Sequence, residues 1–565
     1  MYKGTPVLKP VAFVTKNTLR NTFFSRSRFQ IEIWAVVVVA YCSIFLNNSL
    51  WNIFIESGGG IWETQRWIFI LSAVIGITAF QVAFLSIFMW GRFAKFFGVV
   101  IVLICALTNY FSTQYKVVFD TTMIQNVLAT NFQESWELFS VKAVFIILIQ
   151  IAPVIAFLYF YRPPQLTIWE QISAKIFTIF AATSLVVVIV LSQYQSLASV
   201  VRNHLAVRHV VLPTSPIVAF FKSIDAHAKQ AGIVRASLDP DAHRAPQGQR
   251  LPLLMVVVVG ETVRAQNWGL SGYARQTTPM LDGISKTEVF NFPYARSCGT
   301  STEISVPCMF SGIGRSQYDE AHIKGHESVL PLVQRTGVQV TWIDNQSGCK
   351  GVCDGVESLV ARSFFKDRIE EDNATDELLL EPLDKKISEV PKDQIIVLHM
   401  MGNHGPAYYK RYPKNFEKFT PVCQTSNLSS CSSDSIINAY DNAIVYTDFV
   451  LASIIKRLGQ IDDRLVSMVY TSDHGESLGE RGIYLHGLPY LIAPEEQKQV
   501  PFFFWFPQKT QRALRLDTQC LNRKASQPTE HDMLAHTFFG VYQISTKIAK
   551  PEWNFIHDCI QGNDK

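Results

Sequence analysis

A threonine with the surroundings of a nucleophile lies between two cysteines in the second half of the chain. Thr300 follows a glycine and stands three residues before Glu303, and this spacing has the form of a capping box. The pattern predicts that Thr300 opens a helix, where free backbone N–H groups favour an approaching phosphate. Its hydroxyl is well placed to attack if another group removes the proton. The alternative is an ordinary capped helix braced by a structural disulfide between Cys298 and Cys308.

Carboxylate and imidazole side chains elsewhere could provide that activation. Glu261, Asp473 and His474 each follow an apolar run of the kind that forms buried strands. These ligand types suit Zn²⁺, which in catalytic sites keeps a fourth position open. The Thr300 hydroxyl would fill this position, and coordination would lower its pKa and make it a nucleophile near neutral pH. Taken singly, Glu261 could instead be a helix N-terminal acid, and 473–475 a turn.

A second group of polar residues could bind a phosphoryl group or an acceptor. Its members are Ser347, Lys350, His404 and His486. Lys350 offers a point charge to phosphate, in a turn that Cys349 and Cys353 would brace. The two histidines could hold a second zinc ion or donate hydrogen bonds to phosphate oxygens. The alternative for each histidine is a surface loop residue.

Four short apolar runs would position these groups. They cover residues 251–259, 338–343, 395–398 and 465–470, and helical stretches such as 435–458 lie between them. Strands that alternate with helices predict a mostly parallel sheet covered on both faces. Ligands of such sheets collect at the carboxyl ends of the strands, which is where the polar residues above occur. We therefore expect an α/β catalytic domain over residues 251–565.

The first third of the chain has the composition of a membrane domain. Residues 1–28 contain six basic residues and no acidic ones. Five apolar runs follow, at 31–55, 67–90, 96–111, 141–161 and 176–194, and each is near the roughly 20 residues that span a bilayer. The basic N-terminus is expected in the cytoplasm. We therefore predict a five-span domain over 1–195, an interfacial helix and linker over 196–250, and the rest of the chain outside.

The cysteines support the same topology. Cys42 and Cys105 lie in apolar runs, whereas the other eight follow residue 290. Those eight form close pairs: Cys298/Cys308, Cys349/Cys353, Cys423/Cys431 and Cys520/Cys559. An even number at short spacings indicates disulfides in an oxidising compartment. Zinc is the alternative for Cys349 and Cys353, but no second Cys or His pair stands near them. The net charge of +4 gives no argument for a nucleic-acid partner.

One loop on the predicted outer side carries a regular polar pattern. Asn126, Thr130 and Glu134 are spaced four residues apart in the loop 112–140, so a helix would place them on one stripe. This stripe is either a solvated face or a site for a lipid headgroup at the membrane surface. In the second case Glu134 could pair with a headgroup amine.

These motifs together carry a family resemblance. The chain resembles the bacterial lipid A phosphoethanolamine transferases, which belong to the alkaline-phosphatase/sulfatase-like superfamily. The motifs are Gly260-Glu261-Thr262, Cys298-Gly299-Thr300, Ser347-Gly348-Cys349-Lys350-Gly351, His404-Gly405-Pro406, Ser472-Asp473-His474-Gly475-Glu476 and Leu485-His486-Gly487. The resemblance covers nearly the whole chain and implies an α/β/α sandwich as the catalytic fold.

The resemblance also implies residue roles and substrates. Thr300 would be the nucleophile that becomes modified with phosphoethanolamine. The zinc ligands would be Glu261, Thr300, Asp473 and His474; the phosphoryl, acceptor or second-zinc residues Ser347, Lys350, His404 and His486; and the lipid headgroup residues Asn126, Thr130 and Glu134. Phosphatidylethanolamine would be the donor and a lipid A phosphate the acceptor, in a ping-pong transfer that lowers surface charge and affinity for polymyxin.

The implied location is the Gram-negative inner membrane, with a monomeric, multi-pass protein whose catalytic domain is periplasmic. Several alternatives stay open. A phosphodiesterase or sulfatase-type hydrolase would share the superfamily, although Thr300 lacks the Cys/Ser-x-Pro-x-Arg context of a sulfatase nucleophile. A glycerol-phosphate polymerase is a further relative, and core sugars or periplasmic glucan are other acceptors. A non-enzymatic sensor or transporter is disfavoured, because the spans carry few charges that could form a solute path.

Overall fold

The fold is described from a computed structural model. It describes residues 29–57, 63–130, 140–160, 166–194, 197, 200, 205–230, 235–244, 250–284, 286–365, 375–389, 392–426 and 428–560. The chain divides into two compact units: Met1–Thr113 with Lys142–Ile217, and Gln114–Val141 with Val218–Lys565. The loop that carries Asn126 and Thr130 therefore belongs to the second unit.

The first unit is helical. Its helices are α1 (Gln30–Phe45), α2 (Asn48–Ser57), α3 (Glu63–Leu85), α4 (Ala94–Tyr115), α6 (Val141–Phe160) and α7 (Ile168–Ser192); α5 (Thr121–Ala129) lies in the second unit, and α8 (Thr214–Gln230) follows the first. Within the described ranges, four helices are long and apolar enough to cross a membrane, and α1 with α2 makes up to a fifth.

The predicted spans differ most from the observed helices in two places. The first apolar run is not one straight helix, because α1 and α2 meet at a bend of 57°. The last span begins at Ile168 rather than at 176, since Thr167 and Glu170 form a capping box at its start. Polar residues at 167–175 hid this earlier start in the sequence.

A buried ion pair holds part of the first unit together. Lys175 Nζ lies 3.2 Å from Glu32 Oε1, and it also donates to the carbonyl oxygens of Ser86 at 2.7 Å and Met89 at 2.6 Å. All three ammonium hydrogens therefore have acceptors. Lys175 thus links α1 and α7 to the chain that follows α3.

The second unit is built on a seven-stranded sheet. The strand order is β3-β12-β8-β2-β7-β5-β6, with β2 (Leu253–Gly260), β3 (Val289–Asn291), β5 (Gln339–Asp344), β6 (Glu357–Val360), β7 (Gln394–His399), β8 (Leu465–Ser472) and β12 (Phe502–Trp505). The five strands from β8 to β6 are parallel, and β12 is antiparallel to both neighbours. The predicted mostly parallel sheet is confirmed.

Shorter strands complete the unit: β1 (His243–Arg244), β4 (Ala295–Arg296), β9 (Ser477–Leu478), β10 (Tyr484–Leu485), β11 (Gln499–Val500), β13 (Thr529–Glu530) and β14 (Ile544–Ser545). Its remaining helices are α9 (Pro279–Asp282), α10 (Thr302–Met309), α11 (Glu320–Gly325), α12 (Val329–Arg335), α13 (Leu380–Glu389), α14 (Ser433–Leu458), α15 (Gln508–Ala513), α16 (Thr518–Ala525) and α17 (Asp532–Val541).

The sheet is covered on both faces, which explains the continuous apolar runs. All eight residues of β2 are buried. Its odd-numbered residues, such as Val257, share one core with Phe310, Leu330 and Phe538 from the α10, α12 and α17 regions. Continuous burial of a parallel strand is expected when helices cover both faces. This core fixes the strand ends from which the polar residues extend.

Candidate active site

Two neighbouring strands bring three of the predicted residues together. β2 and β8 are parallel and in register, with Gly260 opposite Ser472. The next residues along each strand direction are Glu261 on one side and Asp473 and His474 on the other. His474 Nε2 lies 3.3 Å from Glu261 Oε1 and 3.4 Å from Asp473 Oδ2. All three side chains are fully buried.

The hydroxyl that reaches this cluster belongs to Thr302. Thr302 Oγ1 donates to Glu261 Oε2 at 2.9 Å and lies 3.4 Å from His474 Nε2. Thr300 Oγ1 instead donates to the carbonyl oxygen of Leu488 at 2.6 Å. The structure therefore places Thr302, two residues beyond the threonine chosen from the sequence, at the candidate centre.

The two-residue difference between the predicted and the observed threonine arises because the helix starts later than predicted. The prediction that Thr300 opens the helix with a capping box is wrong, because α10 begins at Thr302 and Ser301 is its N-cap residue. The Thr300 carbonyl oxygen accepts from Gly487 N at 2.7 Å, which fixes this segment in an extended path before the helix. Serine is one of the favoured N-cap residues, so Ser301 was the sequence signal for this later helix start.

The cluster has strongly perturbed acid–base properties. Burial and the neighbouring Glu261 charge raise the pKa of Asp473 to about 7. Burial lowers the pKa of His474, but the negative charges of Asp473 and Glu261 outweigh burial and raise this pKa to about 10. Two buried carboxylates therefore attract positive charge to this point.

The donors fit a divalent metal ion. Glu261 Oε1 and Asp473 Oδ2 are buried oxygens without a hydrogen-bond partner, and both face His474 Nε2. Carboxylate and imidazole groups of this kind form zinc sites with three protein ligands. Glu261, His474 and His486 also each offer a ligand atom, and these atoms lie within 4.8 Å of one another.

His486 is held by a buried carboxylate that the sequence analysis did not single out. His486 Nδ1 lies 2.7 Å from Glu476 Oε2, and Tyr408 donates to Glu476 Oε1 at 2.6 Å. The His486 ring lies 4.3 Å from that of His474, between centroids. A carboxylate that fixes the orientation of a histidine in this way is typical of metal and catalytic sites.

His404 lies beside the same group on the loop that follows β7. Its ring centroid is 5.8 Å from that of His486. The loop packs on Glu261, since Asn403 N donates to the Glu261 carbonyl oxygen at 3.0 Å. A Cβ on Gly402 would lie 2.6 Å from this oxygen, so only glycine fits there. Asp376 completes the support by accepting from Gly402 N at 2.9 Å.

The Lys350 turn reaches the cluster through a further residue that the sequence analysis missed. Lys350 Nζ donates to Ser347 Oγ at 2.8 Å, so the two predicted residues of this turn are in contact. Gln346 Nε2 donates to Glu261 Oε2 at 3.2 Å. Gln346 therefore links the turn to the carboxylate that also binds Thr302. No local pattern distinguishes Gln346, because its role depends on a contact with residue 261.

The predicted headgroup residues do not form one helical stripe. α5 ends at Ala129, and Thr130 has the extended conformation of a C-cap residue. Thr130 Oγ1 donates back to the Asn126 carbonyl oxygen at 2.7 Å. Glu134 lies outside the described residues. α5 does pack close to the His486 loop, because a Cβ on Gly487 would lie 3.5 Å from Asn126 Nδ2.

All four predicted disulfides are confirmed. They join Cys298 to Cys308, Cys349 to Cys353, Cys423 to Cys431 and Cys520 to Cys559. Cys42 and Cys105 are free and buried, as expected from their apolar runs. The first disulfide encloses the Thr302 helix, and the second spans the Lys350 turn.

Comparison with known proteins identifies the family. Residues 254–544 match a family model described as sulfatase, and residues 77–228 match one described as phosphoethanolamine transferase EptA/EptB. The chain is 34% identical over 543 residues to the phosphoethanolamine transferase EptA of Escherichia coli (strain K12), covering 94% of this chain and 98% of that protein. The chain belongs to the EptA/EptB family of phosphoethanolamine transferases.

Other relatives support the same family assignment. The chain is 39% identical over 472 residues to the phosphatidylethanolamine transferase Mcr-1 of Escherichia coli, covering 81% of this chain and 85% of the relative. The solved structure of the lipooligosaccharide phosphoethanolamine transferase A (EptA) from Neisseria meningitidis matches with a TM-score of 0.88 and 32% identity, covering 94% and 98% of the two chains. The predicted family and architecture are confirmed: apolar helices precede a sulfatase-like α/β domain.

Proposed function

We propose that this transferase moves phosphoethanolamine from phosphatidylethanolamine to a phosphate of lipid A, with Thr302 as the nucleophile. The observation that carries the proposal is the Thr302 hydroxyl, which lies 2.9 Å from Glu261 Oε2 and 3.4 Å from His474 Nε2. The names of relatives support the substrates, since Mcr-1 is a phosphatidylethanolamine transferase and the Neisseria protein acts on lipooligosaccharide.

In the first half-reaction, Thr302 Oγ1 attacks the phosphorus of the donor. Its proton passes to Glu261 Oε2, which already accepts the hydrogen bond from this hydroxyl. The bond from phosphorus to the diacylglycerol oxygen breaks, and this oxygen takes a proton from His486. Phosphoethanolamine is then esterified to Thr302. In the second half-reaction, a lipid A phosphate group gives its proton to His486 and attacks the same phosphorus; the bond from phosphorus to Thr302 Oγ1 breaks, and this oxygen regains its proton from Glu261.

We propose Zn²⁺ as the metal, held by Glu261, Asp473, His474 and Thr302, with Thr302 replacing the predicted Thr300. Bound there, Zn²⁺ would lower the pKa of the threonine hydroxyl and stabilise negative charge on the phosphoryl oxygens. The chain's own contribution is to hold these donors in place through the ends of β2 and β8. His404 and His486 are the alternative ligands for a second zinc ion; in that case water rather than His486 would protonate the diacylglycerol oxygen.

Lys350, with Ser347, would stabilise the phosphoryl oxygens during transfer, because an ammonium group offers a point charge to phosphate. Asn126 and Thr130 would contact the headgroup of the donor lipid from the neighbourhood of Gly487. The closeness of Asn126 to the loop of His486 supports this role.

The membrane location is also a proposal. We place the chain in the Gram-negative inner membrane as a monomer, with five spans over 1–195, a linker over 196–250 and the catalytic domain of 251–565 in the periplasm. Phe221 on α8 is 61% exposed, as expected for a helix that lies at a membrane interface. Modified lipid A would carry less negative charge and give resistance to polymyxin.

Intact-mass spectrometry of the full chain in lipid nanodiscs tests the nucleophile. After incubation with phosphatidylethanolamine, we expect one added phosphoethanolamine on wild type and on Thr300→Ala, and none on Thr302→Ala. Thr300→Ala is the matched control, because it removes the same group two residues away. An adduct that persists in Thr302→Ala would reject this assignment. Release of free phosphoethanolamine without transfer to added lipid A would instead identify a hydrolase.

A further inference from the structure

The turn that carries Lys350 has an unusual backbone. It lies between β5 and β6, and Lys350 adopts a left-handed conformation with φ of 52°. Gly348 and Gly351 on either side also have positive φ, at 92° and 83°. A lysine adopts this conformation at a cost, so the surrounding contacts must hold it there.

Two local contacts hold the start and the base of the turn. Gly348 N donates to Asp344 Oδ2 at 3.0 Å, which ties the turn to the end of β5. The disulfide between Cys349 and Cys353 closes its base. Neither contact engages the carbonyl group of Gly351, the residue that follows Lys350.

Arg235 engages the Gly351 carbonyl group. Its Nη1 donates a short hydrogen bond to the Gly351 carbonyl oxygen and lies 3.2 Å from Asp354 Oδ2. A Cβ on Gly351 would lie 2.2 Å from Arg235 Nη2, so the guanidinium rests directly on the glycine. Arg235 therefore contacts the residue immediately after Lys350.

Arg235 is itself anchored by the segment 235–244, which we name the strap. Ala236 forms a parallel bridge with His326, and Ala236 N donates to the Gly325 carbonyl oxygen at 2.9 Å. At the other end of the strap, Arg244 pairs with Asp393 at 2.5 Å. Both ends are thus fixed to the catalytic unit, and the strap carries Arg235 to the Lys350 turn.

We propose that Arg235 is a positioning residue for Lys350. By binding the Gly351 carbonyl oxygen, it holds Lys350 in its left-handed conformation and keeps Nζ beside Ser347. Without Arg235, the turn relaxes and the lysine charge leaves the phosphoryl site. This inference rests on the proposed function, because it assigns Lys350 to the transferred phosphoryl group.

A double-mutant cycle on the full-length transferase tests the proposal. We expect Arg235→Ala to lower kcat about tenfold, the scale of one partly exposed charge-assisted hydrogen bond, with KM changed less than about twofold. In a Lys350→Ala background, Arg235→Ala should have almost no further effect, because the group that it positions is gone. Arg235→Lys keeps a donor for the carbonyl oxygen and should recover most of the lost rate.

Two matched variants separate positioning from general stability. Arg244→Ala loosens the other anchor of the strap, so we expect the part of its effect on rate that acts through Arg235 to vanish without Lys350, whereas a loss of general stability would be the same with or without Lys350. Asp354→Asn should leave the rate unchanged within about twofold, because this carboxylate is 63% exposed. Equal losses from Arg235→Ala in both backgrounds would overturn this inference alone. A wild type that forms no phosphoethanolamine product would overturn the proposed function, and with it this inference.

Discussion

The membrane unit and the catalytic unit each contain a buried cationic side chain next to buried carboxylate, but the hydrogen bonding around the two side chains differs. Lys175 gives its three ammonium hydrogens to Glu32 and to the carbonyl oxygens of Ser86 and Met89. Around His474, in contrast, Glu261 Oε1 and Asp473 Oδ2 are buried without a hydrogen-bond partner. The first arrangement uses every donor of the cation and leaves one carboxylate oxygen, Glu32 Oε2, without a partner, whereas the second leaves one oxygen on each of two carboxylates unpartnered around a single ring nitrogen.

The difference separates a structural site from a chemical one. Buried polar groups are almost always hydrogen-bonded, and unmet ones need an explanation such as a ligand or a catalytic role. Lys175 meets this rule with all three donors, although Glu32 Oε2 does not, and the pair holds helices together. The Glu261–Asp473–His474 cluster breaks it at the carboxyl edge of a parallel sheet, where ligands bind. Substitutions in the two regions should therefore affect different properties.

The largest expected effect is that of Glu261→Gln. The amide keeps the volume but loses the charge that attracts a cation, so metal binding should be lost and transfer should fall about a thousandfold. Stability should fall only modestly, because the variant loses the attraction between this carboxylate and His474, whereas Asp473 still lies beside the ring. Metal analysis, transfer rate and thermal melting of the purified protein measure the three properties. A variant that melts far below wild type would show that this cluster, too, is mainly structural.

Lys175→Met should have the opposite profile. Removing the cation leaves Glu32 buried and unpaired, which we expect to destabilise the protein by about 3 kcal/mol or more. The rate per folded molecule should stay near that of wild type. Thermal melting in detergent gives the first quantity, and active-fraction assays give the second. The matched double variant Lys175→Met/Glu32→Gln should recover much of the stability, and failure to recover would argue against charge as the cause.

His531 extends the comparison to a buried histidine whose two ring nitrogens are both partnered. Cys298 N donates to its Nδ1 at 3.2 Å, and Nε2 lies 3.0 Å from Thr471 Oγ1. Burial lowers the pKa of His531 to about 3. The folded state therefore favours the neutral ring, and its stabilising contribution is complete above the ordinary pKa of about 6.5 and is lost as the pH falls towards 3.

At pH 5 this loss should amount to about 2 kcal/mol, since each pH unit below 6.5 contributes about 1.4 kcal/mol. Denaturant unfolding of the transferase at pH 7.5 and pH 5 measures the change. His531→Gln has no titrating ring, so its stability should change less between the two values. An equal change in both proteins would show that other groups cause the acid sensitivity.

The smallest expected effect is that of Thr300→Ala. This hydroxyl is already bonded to the Leu488 carbonyl oxygen, and its loss should cost about 1 kcal/mol of stability. The transfer rate should stay within about fivefold of wild type. Melting and initial-rate measurements are sufficient, and a loss as large as that of Thr302→Ala would place Thr300 in the chemistry after all.

The strand ends could be predicted from sequence because they depend on local pattern. Continuous apolar runs mark buried parallel strands, so the positions of Glu261, Asp473 and His474 follow from β2 and β8. The disulfides followed from spacing in the same way. The threonine that contacts this cluster did not, because 300–302 is a run of three hydroxyl residues, each of which is a plausible N-cap type.

Tertiary contacts decide between these three hydroxyl residues. A Cβ on Gly299 would lie 2.8 Å from Ile304 Cγ2, so the chain turns tightly before the helix, and the helix begins further along the chain. Gln346 was missed, and Glu476 had no role assigned although its motif was recognised, for a related reason. Each acts through a residue distant in sequence, and no local pattern records such a contact. The bend between α1 and α2 was likewise hidden within one apolar run.

The order of the cysteines has a consequence for biogenesis. After residue 290, the cysteines are bonded in consecutive pairs along the chain, at separations of 10, 4, 8 and 39 residues. Eight cysteines allow about 105 pairings, and this one results when thiols are oxidised in the order in which they emerge from a translocation channel. For a domain exported from its N-terminus, as proposed above, a simple oxidant would therefore be enough to produce the native set, with no later reshuffling by an isomerase.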